Sequence, residues 1–440
     1  MVLPEFSRYQ TSPKRSALYK TASLIADGFL FVGGASLAIS LIWALLTSIN
    51  PNPLETIFTT EPSSNDVVPG FNTVSGVDPP EFTFYDDRDL SYSIDRPVKN
   101  WDQKRKQWLK HHPHLAGSTA TRVLIVTGSQ PSACRNPTGD HLQLRLFKNK
   151  VDYGRIHGHE IFYNNALLHP KMPGFWAKYP LIRSAMLAHP EVEWVWWVDS
   201  DAVFTDMEFK LPLEKYDNYN LVVHGWSNMV YDNKSWTSLN AGVFLIRNCQ
   251  WSMELMETWT SMGPKSPDYE KWGKIQKSLL KDKLYPESDD QSALIYLLLE
   301  EKEKWGEKIY LESEYNFEGY WLALVDGLDN IAKRYIEIEQ KVKILRRRHA
   351  EKVSEYYGLV REEYLKDGIT RRPFVIHFTG CEPCTGEHNP TYTWEACWNG
   401  MQRALNFADN QVLRRFGFFH PDLLNSSLVS PLPFDFPLVW

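Results

Sequence analysis

Positive charge is in short supply. The 440 residues carry 48 Lys and Arg against 54 Asp and Glu, a net charge of −6. A nucleic-acid binder shows a basic excess, so the balance argues against that class. Cysteine is scarce as well, at five: Cys134, Cys249, Cys381, Cys384 and Cys397. Cys381-x-x-Cys384 has no second Cys-x-x-Cys at zinc spacing, which favours structural disulfides over a zinc or redox site. No internal repeat is present, and only one apolar run is long. Hydrophobic residues at 43% and charged residues at 23% exclude wholesale disorder. Aromatic residues are what the chain has in plenty: 17 Trp, 21 Tyr and 22 Phe, or 14%. Most such rings fill cores, and some stack on the apolar faces of ligands such as sugars.

The one long apolar run is Gly28–Leu46, 19 residues without a charge, enough to span a bilayer as a helix. Arg8, Lys14, Arg15 and Lys20 precede it, and no Lys or Arg follows until Arg88. The positive-inside rule then leaves residues 1–27 in the cytosol and the rest in the lumen as a signal anchor. A cleaved signal peptide is the competing reading, with a shorter apolar region nearer Met1. Two sequons, at Asn233 and Asn425, suit a lumenal body. Without its first 49 residues, which hold four basic and two acidic side chains, the chain stands at −8. Cys249, after an apolar run, is the candidate free thiol, and the other four cysteines allow three pairings.

Residues 47–118 read as a stem, with seven prolines between 51 and 97 and a short helix within 100–114. Alternating α/β patterning starts near Arg122. Val123–Val126, Glu160–Tyr163 and Glu193–Val198 read as strands, and His141–His157 and Phe175–Ala188 as helices. This order implies a parallel sheet, and ligands of such sheets bind beyond the carboxyl ends of the strands. Further strands are expected at 220–224, 242–247, 308–311 and 374–378, and helices at 251–261 and 290–304. Residues 331–366 read as a charged helical insertion, solvated by default. The catalytic domain is placed at 119–423 and a C-terminal tail at 424–440.

The strand WVWWV ends in Asp199-Ser200-Asp201. Paired carboxylates at a strand end suit a divalent cation, which can also hold a diphosphate. The bland alternative is a solvated turn or cap. Asp199-Ser-Asp-Ala-Val203 also fits the D-x-D-x-[TV] pattern of haloacid-dehalogenase-like phosphatases, but there the motif follows the first strand, not the third. His377, at the end of a strand beside Gly380, is a candidate ligand for Mn2+ over Mg2+. Thr127-Gly128-Ser129 ends the first strand, and Asn240 and Gly242 open another where backbone can approach a ligand. Asp289-Asp290-Gln291 precedes an apolar helix and suits sugar hydroxyls or the reacting carbon, although Asp289 also suits a helix cap. Trp226 and Trp321, beside glycines, are the aromatics expected to face sugar.

Taken together, Asn136–His141, Phe175–Lys178, Trp196–Asp201, His224–Trp226, Asp289–Ser292, Gly319–Trp321 and His377–Gly380 resemble glycosyltransferase family 34, the plant galactomannan galactosyltransferases and xyloglucan xylosyltransferases. The likeness covers about 121–421, with the motifs in family order. It implies a GT-A fold with a Rossmann-like nucleotide-binding half, behind a Golgi type II anchor and stem. It also implies retaining transfer from a UDP-sugar with Mn2+, Mg2+ being the substitute. In that reading Asp199, Asp201 and His377 are the metal ligands. Thr127, Gly128, Ser129, Ser200, Asn240, Gly242 and Gly380 border the donor, and Asp289, Asp290 and Gln291 are catalytic. A leaving phosphate oxygen helps take the acceptor proton. Glu382 stands where the xylosyltransferase branch tends to carry Lys, and the 331–366 insertion is longer than in that branch. Both point to UDP-galactose as donor and a β-1,4-mannan as acceptor of α-1,6 branches. UDP-xylose on a β-1,4-glucan is the runner-up, and a non-catalytic polysaccharide-binding or complex-organising protein is the alternative from another class. The expected partners are the nucleotide sugar, a mannan acceptor, the Golgi membrane, and a second copy or a mannan synthase.

Overall fold

The computed structural model describes residues 84, 87–116, 122–346, 359–360, 363–364 and 371–432. All fall in one compact unit, Val77–Trp440. The expected anchor at 28–46, the cytosolic tail and residues 347–358 of the charged insertion lie outside the described residues. Among those described, no helix is long and apolar enough to cross a membrane.

Among the described residues the order is helix α1 (Trp101–His111), strand β1 (Val123–Gly128), α2 (Gly139–His157), β2 (Glu160–Asn164), α3 (Lys178–Ala188) and β3 (Trp194–Val198). β1 pairs in parallel with both β2 and β3. Next come β4 (Ala202–Phe204), β5 (Leu221–Gly225), β6 (Leu239–Arg247), α4 (Gln250–Thr260), α5 (Tyr269–Leu279) and α6 (Asp290–Glu300). The described chain then adds β7 (Ile309–Glu312), β8 (Gly319–Tyr320), α7 (Leu328–Lys341), β9 (Val375–His377) and α8 (Trp394–Leu413).

The main sheet has six strands in the order β2-β1-β3-β6-β5-β7. Its first three strands are parallel as expected, and β6 makes the whole sheet mixed. β6 runs antiparallel to both β3 and β5, because the chain returns from β5 at the same end of the sheet. Parallel and antiparallel inner strands both read as unbroken apolar runs when both faces are covered, so the sequence does not separate them.

Alternation along β3 explains the three tryptophans. Trp194, Trp196 and Val198 enter one core with α2 and α8, and Val195 and Trp197 enter the other with α3, α4 and α6. Every residue of β3 is buried. The chain then turns sharply, and β4 joins a second sheet, β4-β9-β8. Ala202 stands opposite His377, which brings His377 from far along the chain to the end of β3.

The part of the stem reading from residue 84 onward is revised. Trp101 is fully buried, its indole Nε1 donates to Asn248 Oδ1 at 2.7 Å, and Ile94 and Val98 join the same core. At the other end Ser426 Oγ accepts from Arg145 at 2.8 Å, and Phe418–Phe419 pair with Ser430–Pro431, so the chain from 424 to 432 packs on the body.

Candidate functional site

Three ligand-type side chains meet at the carboxyl end of β3. One ligand atom from each of Asp199, Asp201 and His377 lies within 4.8 Å of the others. His377 Nε2 is 3.3 Å from Asp201 Oδ1 and 3.7 Å from Asp199 Oδ2. Its Nδ1 is 3.1 Å from Oε1 of the buried Glu318, which fixes the ring. Burial works against a charged His377, but Asp201 and Glu318 overcome it and hold the ring well above its usual pKa. Burial likewise pushes Asp201 upward, and His377 outweighs it, leaving the carboxyl below its usual range.

The cradle fits a divalent ion. Gly242 sits under it, and a Cβ there would lie 2.2 Å from His377 Cε1 and 2.7 Å from Asp199 Oδ2. Two carboxylates and an imidazole form an oxygen-rich, borderline donor set that suits Mn2+. Asp199 is held from both sides: its N–H donates to the Gly242 carbonyl at 2.9 Å, and Trp197 Nε1 donates to its Oδ1 at 2.6 Å.

Two buried lysines lie behind these carboxylates. Lys150 Nζ, from α2, donates to the carbonyls of Ala202 at 2.7 Å and Ser200 at 3.0 Å, and so pins the turn that carries Asp201. Burial lowers its pKa to about 7, against the pull of Asp201 and Asp199. Lys178 Nζ, from α3, is 2.9 Å from Asp290 Oδ2, 3.5 Å from Asp199 Oδ1 and 2.9 Å from the Ala241 carbonyl. Burial opposes its charge, but Asp199 and Asp290 win and raise its pKa. Burial raises the Asp290 carboxyl, with Lys178 opposing.

An open cleft of about 590 Å³ runs past Asp199 and Asp201. Gly128, Ser129, Asp199, Ser200 and Asp201 line one stretch, and Phe175, Lys178 and Trp197 another. The loop Cys381–Thr385 forms a third wall, with Glu382 facing the cleft. Disulfides Cys134–Cys384 and Cys381–Cys397 anchor that loop, and Cys249 is free as expected. Of the three open pairings the fold therefore selects one, and the Cys-x-x-Cys pair is split between two bonds.

The remaining expected residues divide. Thr127 is fully buried behind Gly128. Asn240 Oδ1 accepts from the Gly242 N–H at 2.7 Å and shapes the turn under the triad. Gly380 takes φ 77°, a left-handed turn just after the His377 strand. Asp289 caps α6: its carboxylate accepts from Ser292 N at 2.7 Å and Ser292 Oγ at 2.6 Å, and pairs with Lys283. Gln291 Nε2 donates to the Trp236 carbonyl at 2.8 Å. Only Asp290 of this trio reaches the triad, through Lys178. Trp226 is 41% exposed and free to meet a ligand.

Trp321 does not face sugar. It is 1% exposed, stacked on Phe378 at 5.6 Å with Tyr392 edge-on at 5.0 Å, and its exposed neighbour is Tyr320. Asn233 and Asn425 are both exposed, as sequon asparagines must be to carry glycan.

Lys150, Glu318 and Trp236 escaped the sequence reading, and Lys178 was noted only within a motif. Helix lysines look solvated in sequence, and Glu318 is 59 residues from His377. The only available signal was that Glu318 directly precedes the Gly319-Tyr-Trp321 motif.

The galactosyl transferase GMA12/MNN10 family model matches residues 119–388. The chain belongs to this family. Membership makes it a glycosyltransferase. It is 59% identical to "Galactomannan galactosyltransferase 1" of Cyamopsis tetragonoloba, over 95% of this chain and 98% of that one. It is 57% identical to "Glycosyltransferase 6" of Arabidopsis thaliana, over 95% and 97%. It is 47% identical to "Probable xyloglucan 6-xylosyltransferase 1" of Oryza sativa subsp. indica, over 76% of this chain and 69% of that protein.

Proposed function

We propose that the chain is a retaining, metal-dependent galactosyltransferase with a GT-A fold. It moves galactose from UDP-galactose to O6 of mannosyl residues in a β-1,4-mannan. The observation that carries this reading is the triad of Asp199, Asp201 and His377 at the end of β3, open to a cleft. The 59% identity to a protein named as a galactomannan galactosyltransferase favours galactose and mannan. Glu382 on the cleft wall supports the same branch.

In this reading Asp199, Asp201 and His377 hold Mn2+, and Glu318 orients the imidazole. A divalent ion held by Asp199, Asp201 and His377 would supply charge neutralisation for a diphosphate leaving group. Gly128 and Ser129 border the nucleotide, and Lys178 balances Asp199 and Asp290 so that both remain in place when the cleft fills. Residues 28–46 anchor the protein in the Golgi membrane with the catalytic body lumenal, and Asn233 and Asn425 carry glycans.

Membranes holding the full chain should transfer one hexose from UDP-galactose to mannohexaose in the presence of Mn2+. Mass spectrometry detects the product, and α-galactosidase should remove the added sugar. Transfer of xylose from UDP-xylose to cellohexaose instead would assign the runner-up activity. No transfer to either acceptor, with retained polysaccharide binding, would leave the non-catalytic class.

A further inference from the structure

An aromatic pair beside the helix that starts at Asp290 has no part in the metal site. Trp236 is restrained at every polar atom. Its N–H donates to Asp282, its carbonyl accepts from Gln291 Nε2 at 2.8 Å, and its Nε1 donates to Asp289 Oδ1 at 3.3 Å. Lys283 Nζ stands 5.8 Å from the ring centroid and is itself paired with Asp289. The Tyr285 ring lies 5.9 Å away, edge-on at 74°, and is 47% exposed.

Single exposed aromatics are ordinary on soluble proteins and carry little information. Trp236 differs in its restraint, and the exposed Tyr285 ring stands edge-on to it. Asp289 accepts from Ser292 N, Ser292 Oγ, Trp236 Nε1 and Lys283, so its oxygens are taken up in holding the Trp236 ring and the start of α6. Such fixing removes the entropy that an immobilised side chain otherwise loses on binding. The exposed Trp226 belongs to the same turn, its N–H donating to the Ser238 carbonyl at 2.9 Å. Ser238 Oγ and His224 Nδ1 are buried there with no hydrogen-bond partner among the described residues. A fixed indole with an exposed phenol ring edge-on to it suits a ligand with apolar faces and hydroxyl edges.

The place also fits. Trp236 Nε1 bonds Asp289, and the adjacent Asp290 is 2.9 Å from Lys178 Nζ, which stands 3.5 Å from Asp199 Oδ1. The cleft lined by Gly128, Ser129, Asp199 and Asp201 does not have Trp236 or Tyr285 in its walls.

We propose that Trp236 and Tyr285 form the platform on which a β-1,4-linked hexopyranose chain lies as acceptor. Asp289 and Lys283 act as positioning residues that fix the Trp236 ring. The proposal rests on the transferase reading above and deepens it. Flat β-1,4-linked rings present C–H faces to the aromatics and leave hydroxyls at their edges.

The test is calorimetric titration of mannohexaose, and separately cellohexaose, into the purified full-length chain, with UDP titration and thermal melting as controls for folding. Tyr285→Ala should weaken binding of whichever hexasaccharide the parent binds by about three- to tenfold. Trp236→Phe, which keeps a ring but loses the N–H to Asp289, should weaken it as well. Unchanged affinity in both variants overturns the platform. Parental binding of cellohexaose alone overturns the mannan assignment, while weakened cellohexaose binding by Tyr285→Ala would still support the platform. Parental binding of neither overturns both.

Discussion

Two His–carboxylate clusters sit at opposite ends of the same sheet, and both have metal-ligand spacing. One is Asp199, Asp201 and His377 at the carboxyl end of β3, and the other is Glu160, His189 and Glu191 at the amino ends of β2 and β3. Their surroundings differ. The His377 side chain is 4% exposed, whereas that of His189 is 37% exposed. His377 has Glu318 behind its second nitrogen, Lys150 pinning the adjoining turn, Lys178 on Asp199, and a cleft in front. His189 has its own-loop neighbour Glu191, at 2.9 Å. Ligand spacing alone therefore does not make a site. Buried groups that hold the ligands in place, and an open face for the substrate, separate the two.

The largest effect should come from breaking the first cluster directly. Asp201→Ala should cut transfer from UDP-galactose by roughly a thousandfold, the scale of losing preorganised electrostatic stabilisation. Circular dichroism should show a folded protein. Activity within threefold of the parent would remove the triad from the chemistry.

Lys178→Met probes the buried charge behind the triad. It leaves Asp290, which is 6% exposed, beside Asp199 without its cation. Removing one partner of a buried pair costs about 3–5 kcal/mol. For a body of this size that corresponds to a fall in Tm of about 4–7 °C. Addition of Asp290→Asn should recover part of the loss, because it removes the carboxylate that Lys178 was balancing. A melting curve unchanged by Lys178→Met would show that the pair is solvated.

Glu318→Gln separates orientation from ligation. An outer partner of a metal-bound imidazole typically contributes 10–100-fold in metal affinity. Mn2+ titration of the purified chain should show a loss in that range, with the melting temperature close to the parent's. Equal Mn2+ affinity would make Glu318 only a packing residue.

Much of the first cluster was readable from the sequence, and its support was not. WVWWV followed by Asp-Ser-Asp announces a strand buried on both faces that must release its carboxylates at an end. The strand around His377 and the helix after Asp289 were also legible from apolar runs and cap chemistry. Lys150 and Lys178 were not, because a lysine on a helix reads as solvent-facing until the tertiary contacts are known. Trp321 was misread because Gly319-Tyr-Trp places two aromatics side by side, and only the packing on Phe378 and Tyr392 decides which turns inward. The same limit applies to Trp101, which lies in a proline-bounded segment and becomes core only once Asn248 receives its indole N–H.

The smallest effect is expected at the second cluster, and its sign follows from titration. The hydrogen bond that His189 donates to the Glu191 carboxylate raises the imidazole pKa above its usual 6.5, overcoming partial burial. A histidine whose folded pKa is raised contributes stability that is fully present below pH 6.5. That contribution is lost as pH rises through the elevated folded value. His189→Gln should therefore flatten a small stability decline above pH 6.5, and change stability at pH 8 by no more than about 0.5 kcal/mol. Denaturant melts at pH 6 and pH 8 give both numbers. Transfer activity should remain that of the parent, since Glu160, His189 and Glu191 do not line the cleft. A Mn2+-dependent loss of activity in His189→Gln would erase the distinction between the two clusters, because exposure would then no longer predict which one binds.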